Sequence, residues 1–351
     1  MNTDEIRRKL LSWYDEQHRD LPWRKTKDPY KIWVSEIMLQ QTRVDTVLRY
    51  YDRFISAFPD VVSLAEADEQ TVLKLWEGLG YYRRAKALHE GAKEIVRNHH
   101  SILPESFEDL LGIKGIGRYT AGAIASIAYG EKVPAVDGNA VRVFSRLIRY
   151  TSCVDTSDGA RVMWKTGTCL VDPKRPGDFN QGVMDLSNAV CKKGRPACDM
   201  CPLEGLCESS FDSLAEKLPV HKEKKAPVTE CWEVTLMIDR EKNRIAVIQR
   251  TEALLGGLWI FPLTLLPPNE PPDHYIGRAR HVFTHRVWEM WITAQEVKEQ
   301  DRTDVLWADA VTLNNLPFPS AMRIPLILAR KMLEGEGIQE AGKRKKPSKR
   351  L

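Results

Sequence analysis

The spacing of hydrophobic positions changes near Thr229, and this change predicts two kinds of structure in one chain. Before Thr229, apolar residues recur with a period of about 3.6, which is typical of amphipathic helices. The segments are "DPYKIWVSEIMLQQTRVDTVLRYYDRF", "EQTVLKLWEGLG", "YYRRAKALHEGAKEIVRNH", "RYTAGAIASIAY", "GNAVRVFSRLIRY" and "GDFNQGVMDLSNAVC". After it, β-branched alternation predicts strands in "CWEVTLMID", "RIAVIQR", "HVFTHRVWEMWITAQEV" and "TDVLWAD". The pattern predicts a multidomain protein, with an all-α domain followed by a smaller α+β domain.

Domain boundaries follow from the same pattern. A chain of 351 residues is long enough for two hydrophobic cores. The stretch "SLAEKLPVHKEKKAPVT" is charged, contains two prolines and has little periodicity, so it predicts a linker over 213–229. We therefore expect a helical domain over 1–212 and a second domain over 230–334. The residues 335–351 include "KRKKPSKR" and are expected to form a basic, disordered tail.

Composition and charge narrow the class of protein. The hydrophobic fraction of 43% and the charged fraction of 28% are those of a soluble globular protein. No apolar run approaches the ~20 residues of a membrane span, and the N-terminus lacks a signal-peptide core. These features predict a cytoplasmic protein without a membrane partner. The net charge of +4 permits nucleic-acid binding without requiring it.

Four of the seven cysteines fall within one short segment. Cys191, Cys198, Cys201 and Cys207 have the spacing C-x6-C-x2-C-x5-C. Four thiolates can hold a tetrahedral zinc ion or a four-iron cluster. The single C-x2-C pair favours the cluster, because zinc sites usually have two such pairs, but zinc remains an alternative. Three scattered cysteines are most simply structural: Cys153, Cys169 and Cys231.

Two acidic residues stand out from their surroundings. Glu36 lies within the apolar run "VSEIMLQQT", and none of its helical neighbours is a cation that would pair with it. Asp137 precedes the helical pattern "GNAVRV", where the ordinary role of an aspartate is to cap the helix. Between them, Gly115 and Gly117 belong either to a plain helix connector or to a turn whose N–H groups bind phosphate.

Several motifs occur together and in a recognisable order. They are "LPWR", "SEIMLQQT", "WEGLGYYRRA", "KGIGRYTA", "AVDGN", "FNQGVMDL" and the four-cysteine segment, and they span about residues 8 to 207. This series resembles the MutY adenine DNA glycosylases of the helix-hairpin-helix superfamily. The second half is similar more faintly, through "LLGGLWIFP" and "VFTH". The resemblance implies a helical catalytic domain with a [4Fe-4S] cluster in residues 191–207, followed by a shortened Nudix-like domain that recognises the lesion.

The resemblance also implies a reaction and a partner. The expected activity is base-excision removal of adenine, flipped out of double-stranded DNA in which it is opposite 8-oxoguanine or guanine, by a monomer at the bacterial nucleoid. Glu36 would protonate adenine, since apolar neighbours raise the pKa of a carboxyl group toward that of a general acid. Asp137 would stabilise the cationic sugar or capture it, with support from Asn139. Tyr119 occupies the position at which lyase-type relatives carry a nucleophilic lysine, so the enzyme would be monofunctional.

Further contacts are implied by the same resemblance. Tyr81 would wedge beside the lesion base, Gln41 would fill the vacated stack, and Gly115 and Gly117 would hold phosphate. Four residues would line the adenine pocket: Trp23, Arg24, Leu39 and Gln181. The turn of Phe283, Thr284 and His285 would touch 8-oxoguanine. The alternative for this turn is a plain strand in which Phe283 and His285 share one face and Thr284 lies on the other.

Alternatives and departures from the family remain. The chain could instead be an endonuclease III-like lyase, a thymine-mismatch glycosylase or a non-catalytic iron–sulfur DNA-binding protein. Gly182, Ser187 and Asn188 stand where the family commonly has alanine, glycine and alanine. No Nudix hydrolase signature is present, and no helical pattern separates Pro262 from Phe283.

Overall fold

A computed structural model describes residues 2–223, 226–268, 270–336 and 342–343. The chain divides into one unit of residues 1–67 with 83–223 and a second unit of residues 68–82 with 224–351. The division at residue 223 falls within the expected linker. The assignment of residues 68–82 to the second unit was not anticipated, because their helical pattern resembles that of their neighbours.

Helices account for the regular structure up to residue 190. In chain order they are α1 (Thr3–Gln17), α2 (Pro29–Leu39), α3 (Val44–Ala57), α4 (Val61–Glu66), α5 (Glu69–Leu75), α6 (Arg83–Asn98), α7 (Phe107–Leu111), α8 (Arg118–Ala128), α9 (Gly138–Leu147), α10 (Ser157–Leu170) and α11 (Pro176–Ala189). The pattern that ran through residues 28–54 is divided, since α2 ends at Leu39 and α3 begins at Val44.

Caps and buried faces explain where these helices begin and how they pack. The Asp28 side chain accepts hydrogen bonds from the N–H groups of Tyr30 and Lys31, and Pro29 occupies the first turn of α2. α1, α9 and α11 share a core that includes Leu10, Phe144 and other fully buried residues. The core therefore holds α1 against α9 and α11, which contain parts of the motifs "AVDGN" and "FNQGVMDL".

The second unit is built on a mixed sheet. Its strands are β1 (Val228–Asp239), β2 (Arg244–Gln249), β3 (Trp259–Ile260), β4 (Leu263–Leu266), β5 (His274–Tyr275), β6 (Gly277–Val282), β7 (Arg286–Glu296), β8 (Leu306–Ala308) and β9 (Gly342–Lys343). The main path runs β3-β2-β1-β7-β6, with β4 on β1 and β8 on β2, while β9 pairs with β5 apart from it. β1 and β7 are parallel, and the other pairs are antiparallel. Helices α12 (Ala310–Asn315) and α13 (Arg323–Leu333) complete the unit.

Residues 68–82 are joined to the second unit by specific hydrogen bonds. The indole N–H of Trp259 donates to the Gln70 side chain over 2.8 Å. The Tyr82 hydroxyl donates to the carbonyl of Phe318 over 3.1 Å. Because both partners lie far away in sequence, pattern analysis had no means of detecting this association.

Some sequence-based expectations need adjustment. The strand expected over 281–297 is interrupted, because residues 283–285 form the turn between β6 and β7. Ser213–Lys217 form a 3₁₀ helix and β1 begins at Val228, so both ends of the expected linker have regular structure. Most of the expected basic tail, 337–341 and 344–351, lies outside the described residues. Within the described ranges, no helix combines the length and apolarity needed to cross a membrane.

Candidate active site and cysteine loop

Glu36 lies in the middle of α2 with its side chain buried, and the residue is 5% exposed. Its partner is Tyr119 on α8, whose hydroxyl donates a hydrogen bond to Glu36 Oε2. Burial raises the pKa of Glu36 to about 7; the hydrogen bond from Tyr119 opposes this rise, and the negative charge of Asp137 adds to it. A carboxyl group with this pKa retains its proton in a substantial fraction of molecules at neutral pH.

Asp137 is the N-cap of α9, as an ordinary capping aspartate would be. One oxygen, Oδ1, accepts from the backbone N–H groups of Asn139 at 2.9 Å and Ala140 at 2.8 Å. The other, Oδ2, accepts from the Asn139 side-chain amide at 2.8 Å. Burial raises the pKa of Asp137 above its ordinary value, and these hydrogen bonds from Ala140 and Asn139 oppose the rise. Capping and the catalytic role expected for Asp137 are therefore compatible, since the same N–H groups favour its charged form.

The Asn139 side chain is also hydrogen-bonded to α11. Asn139 Oδ1 accepts from the Ser187 hydroxyl at 3.0 Å and from Arg142 Nη2 at 3.2 Å. Arg142 also donates to the Ser187 carbonyl at 3.1 Å and to the Cys191 carbonyl at 2.8 Å. A continuous hydrogen-bonded chain thus joins Asp137 to the first cysteine of the cysteine loop. The sequence had marked Ser187 only as a departure from the family.

The residues expected around adenine are only partly brought together. Arg24 lies close enough to Glu36 for its charge to lower the pKa of that carboxyl, but it also forms a two-bond ion pair with Asp185, at 2.7 and 3.0 Å. A cavity of about 220 Å³ is lined in part by Arg24 and Gln181. Glu36 is not among the described residues that line this cavity, nor are Trp23, which is buried, and Leu39, which is half-buried. The pocket role of these residues stays a prediction.

Arg84 is a structural residue that the sequence analysis missed. Its Nη1 donates to the carbonyls of Ile37 at 2.7 Å and Met38 at 3.0 Å, where α2 leaves backbone acceptors unpaired. Arg84 thereby fixes the end of the helix that carries Glu36. Immediately beyond it, Gln41 is exposed and has a φ of 57°, so the turn presents its side chain at the surface. The sequence shows two adjacent arginines in "YYRRA", and nothing in the sequence distinguishes the second one, Arg84, from the first.

The turn between α7 and α8 contains the two glycines singled out in the sequence. Gly115 has a φ of 86°, and a Cβ there would lie 2.9 Å from Ala87 Cβ, so only glycine fits. Gly117 is the N-cap of α8 and has open space around it. The two helices and this tight turn form a helix-hairpin-helix unit, whose exposed N–H groups suit a phosphate. The phosphate contact itself stays a prediction.

The four cysteines of the cysteine loop, Cys191 to Cys207, lie close enough for their charges to interact. Burial raises the pKa of Cys201 to about 12, and the charges of Cys191, Cys207 and Cys198 raise it further. Arg146 donates to Cys191 Sγ over 3.3 Å, which stabilises negative charge on that sulfur. Among the described residues, no three His, Cys, Asp or Glu side chains are placed to hold a single metal ion. The donors present, four neighbouring thiols beside an arginine, fit a thiolate-bound cluster.

The remaining expected site residues lie in the second unit. Tyr81 is 50% exposed and has a φ of 50°, in a segment that also contains two left-handed glycines. Phe283 is half-buried, and its ring packs edge-on against Trp288 at 5.1 Å, while Thr284 and His285 are exposed. The Val228 N–H donates to the His285 carbonyl over 3.1 Å, which fixes the turn. The plain-strand alternative for these residues is therefore wrong.

Comparisons with known proteins agree with this arrangement. Residues 34–161 match the family model of the HhH-GPD superfamily base excision DNA repair protein, and residues 234–327 match the NUDIX domain model. The adenine DNA glycosylase of Rattus norvegicus is 32% identical over 394 aligned residues, which cover 91% of this chain and 76% of that protein. The chain belongs to the adenine DNA glycosylase family. The adenine DNA glycosylase of Arabidopsis thaliana is 40% identical over 77% of this chain, which spans about half of that relative, 49%. Family and fold class, as expected from the sequence, are confirmed.

Solved structures with a similar fold cover only part of this chain. A thermostable thymine-DNA glycosylase matches with a TM-score of 0.54 and 29% identity, over 59% of this chain and 95% of that one. An endonuclease III–DNA covalent intermediate matches with a TM-score of 0.52 and 20% identity, over 61% of this chain. The second likeness shows the fold alone. The curated relatives named adenine DNA glycosylase extend over more of the chain than these solved structures do.

Proposed function

We propose that this protein removes adenine from double-stranded DNA by hydrolysis of the N-glycosidic bond. The observation that carries the proposal is the pair formed by the buried Glu36 carboxyl and the half-buried Asp137 carboxyl, whose charges interact. A neutral Glu36 and an ionised Asp137 are the two forms that glycosidic cleavage requires. Family membership supplies adenine as the base, and it leaves open which base lies opposite.

The residues of this chain divide the chemistry between them. Glu36 donates a proton to the flipped adenine, so that the base leaves as a neutral molecule. Tyr119 keeps the Glu36 carboxyl in place through its hydroxyl. Asp137, held by N–H donors at the start of α9, stabilises the positive charge that develops on the sugar until water adds to the anomeric carbon and loses a proton. Adenine must leave the base stack first, at a cost of a few kcal/mol.

We also propose that the base opposite adenine is 8-oxoguanine or guanine and that the cysteine loop binds a [4Fe-4S] cluster. The exposed pair Thr284 and His285 supports contact with 8-oxoguanine, since the Val228 N–H bonds the backbone of the turn and both side chains are exposed. The four neighbouring thiols support a [4Fe-4S] cluster in the cysteine loop. When bound, such a cluster would order that loop, including its exposed basic residues Lys192 and Lys193, for phosphate contact. The active form is proposed to be a monomer.

The deciding experiment is the substitution Glu36→Gln. Glutamine keeps the shape of the side chain and can still accept from Tyr119, but it cannot donate a proton at the required strength. We expect single-turnover release of adenine to fall by about a hundredfold or more, with duplex binding unchanged. Release within tenfold of the parent rate would contradict the role of Glu36.

The same assay separates the proposal from its lyase alternative. Tyr119 offers no amine, so the product should be an intact abasic site. Borohydride added during the reaction should trap little protein on DNA. Efficient trapping would show a covalent lyase intermediate and favour the endonuclease III-like alternative.

A further inference from the structure

The Ser187 hydroxyl has a defined hydrogen-bond direction. Ser187 lies on α11 and is 0% exposed. Arg142 can only donate, and its Nη2 donates to Ser187 Oγ. The single hydrogen of the hydroxyl is therefore free to point at Asn139 Oδ1, 3.0 Å away. Arg142, Ser187 and Asn139 thus form a directed chain.

This direction decides which end of the Asn139 amide faces the catalytic carboxylate. Asn139 Oδ1 accepts from both Ser187 and Arg142, so Nδ2 must point the other way. There it donates to Asp137 Oδ2 over 2.8 Å. A reversed amide would bring an oxygen against the carboxylate and leave two donors facing an NH₂ group. Both ends of the amide are therefore determined by their partners.

From these contacts we infer that Ser187 is a positioning residue for adenine removal: it acts through Asn139 to hold the Asp137 carboxylate in its reactive orientation. The inference rests on the proposed function, because it assigns Asp137 a part in the reaction. The support is thus the hydrogen-bonded chain that runs from Ser187 through Asn139 to Asp137.

The test compares Ser187→Ala with Ser145→Ala. Ser145 is also 0% exposed, and its hydroxyl donates to the Arg142 backbone carbonyl over 3.1 Å, so it is a matched buried serine that bonds a backbone oxygen instead of Asn139. Alanine is smaller than serine and a better helix former, so both variants should fold. We expect Ser187→Ala to slow single-turnover adenine release about three- to tenfold, the worth of one hydrogen bond, with unchanged duplex affinity. Ser145→Ala should release adenine at the parent rate.

A double substitution shows whether Ser187 acts through Asn139. If it does, Ser187→Ala should have no further effect on the rate in an Asn139→Ala background. Multiplying effects in the double variant would overturn the inference, as would equal rates for Ser187→Ala and Ser145→Ala. A rate loss explained by a lower melting temperature would overturn it too, since that result indicates a purely structural role.

A readout without activity keeps this inference separate from the proposed function. The side-chain amide signal of Asn139 can be assigned in an NMR spectrum by its loss in Asn139→Ala. It should shift in Ser187→Ala and stay unchanged in Ser145→Ala. If the parent protein released no adenine, the proposed function would fail, while this spectrum would still decide whether Ser187 holds the amide. An unshifted signal in Ser187→Ala would overturn the contact.

Discussion

Glu36 has its pKa of about 7 because burial costs a charged carboxylate its hydration. Folding therefore favours the protonated form of Glu36. The contribution of this group to stability is fully present below its unfolded pKa and is lost as the pH rises through about 7. Above that pH the protein must hold a buried negative charge. The same burial that costs stability in alkaline solution provides a general acid near neutrality.

A pH–rate profile should reveal this acid. We expect the single-turnover rate to fall as the pH rises above about 7, because Glu36 loses the proton that adenine needs. The hydrogen bond from Tyr119 lowers the pKa of Glu36, so Tyr119→Phe should move the alkaline limb to higher pH. Tyr129→Phe is the control, since the Tyr129 hydroxyl donates to a backbone carbonyl, that of Leu103, at 2.9 Å. A shift in both variants, or in neither, would count against Glu36 as the titrating acid.

At the scale of elements, the start of α9 serves two purposes with one side chain. The N–H groups that α9 leaves unpaired at its first turn are satisfied by Asp137 Oδ1. They also stabilise the negative charge that the reaction uses. Stability and activity can be separated here, because capping needs an acceptor oxygen and catalysis needs a charge.

Asp137→Asn and Asp137→Ala should therefore differ in stability but not in activity. Asparagine is as good an N-cap as aspartate, whereas alanine costs about 1 kcal/mol of stability. We expect both variants to lose adenine release by about a hundredfold or more, while only Asp137→Ala melts at a clearly lower temperature. Thermal unfolding and single-turnover assays measure the two effects. Near-parent activity in Asp137→Asn would show that the charge is not required.

The cysteine loop is a second element whose role can be separated from folding. Cys198→Ala should remove the broad visible absorption of thiolate-bound iron and weaken duplex binding, with little loss of helix content. Cys153→Ala, which changes a half-buried cysteine outside the loop, should retain both properties. Absorption, metal analysis and circular dichroism measure the outcome. Stoichiometric zinc without visible absorption in the parent would support the zinc alternative.

At the scale of the whole molecule, the second unit carries the residues that are expected to contact the base opposite adenine. It presents an exposed turn, Phe283 to His285, that is fixed by the Val228 N–H bond and by Phe283 packing on Trp288. It also includes residues 68–82, which carry Tyr81. Residues 68–82 and the turn of Phe283 to His285, which are expected to contact the base opposite adenine, therefore belong to the same unit although they lie far apart in sequence.

Recognition of 8-oxoguanine should depend on the exposed turn. We expect Thr284→Ala combined with His285→Ala to reduce the preference for 8-oxoguanine over guanine, since a base-edge contact is worth about 1–3 kcal/mol. Binding of duplexes that carry either base opposite an uncleavable adenine analogue measures this preference. Thr264→Ala, an exposed threonine on β4, is the control. Unchanged discrimination in the double variant would show that another part of the protein recognises the lesion.

The sequence by itself determined the features that depend on neighbouring residues, which are the helices, the strands and the positions of the motifs. The 3.6-residue and alternating patterns located helices and strands because each element must place its apolar side chains on one face. Motif order singled out Glu36 and Asp137 as candidate catalytic residues, and cysteine spacing singled out the loop that is predicted to bind a cluster. Local patterns were less successful at the turn of residues 283–285, because the residues on both sides of a tight turn continue the strand alternation.

Only the tertiary structure decided how distant residues share their polar groups. Arg84 at the end of α2, Asp185 beside Arg24 and Ser187 beside Asn139 became meaningful once their partners were known. Residues 68–82 joined the second unit through bonds such as that between Tyr82 and Phe318. A buried donor or acceptor must find a partner wherever the fold provides one. That requirement has no period along the chain, so hydrophobic pattern and spacing cannot predict these pairs.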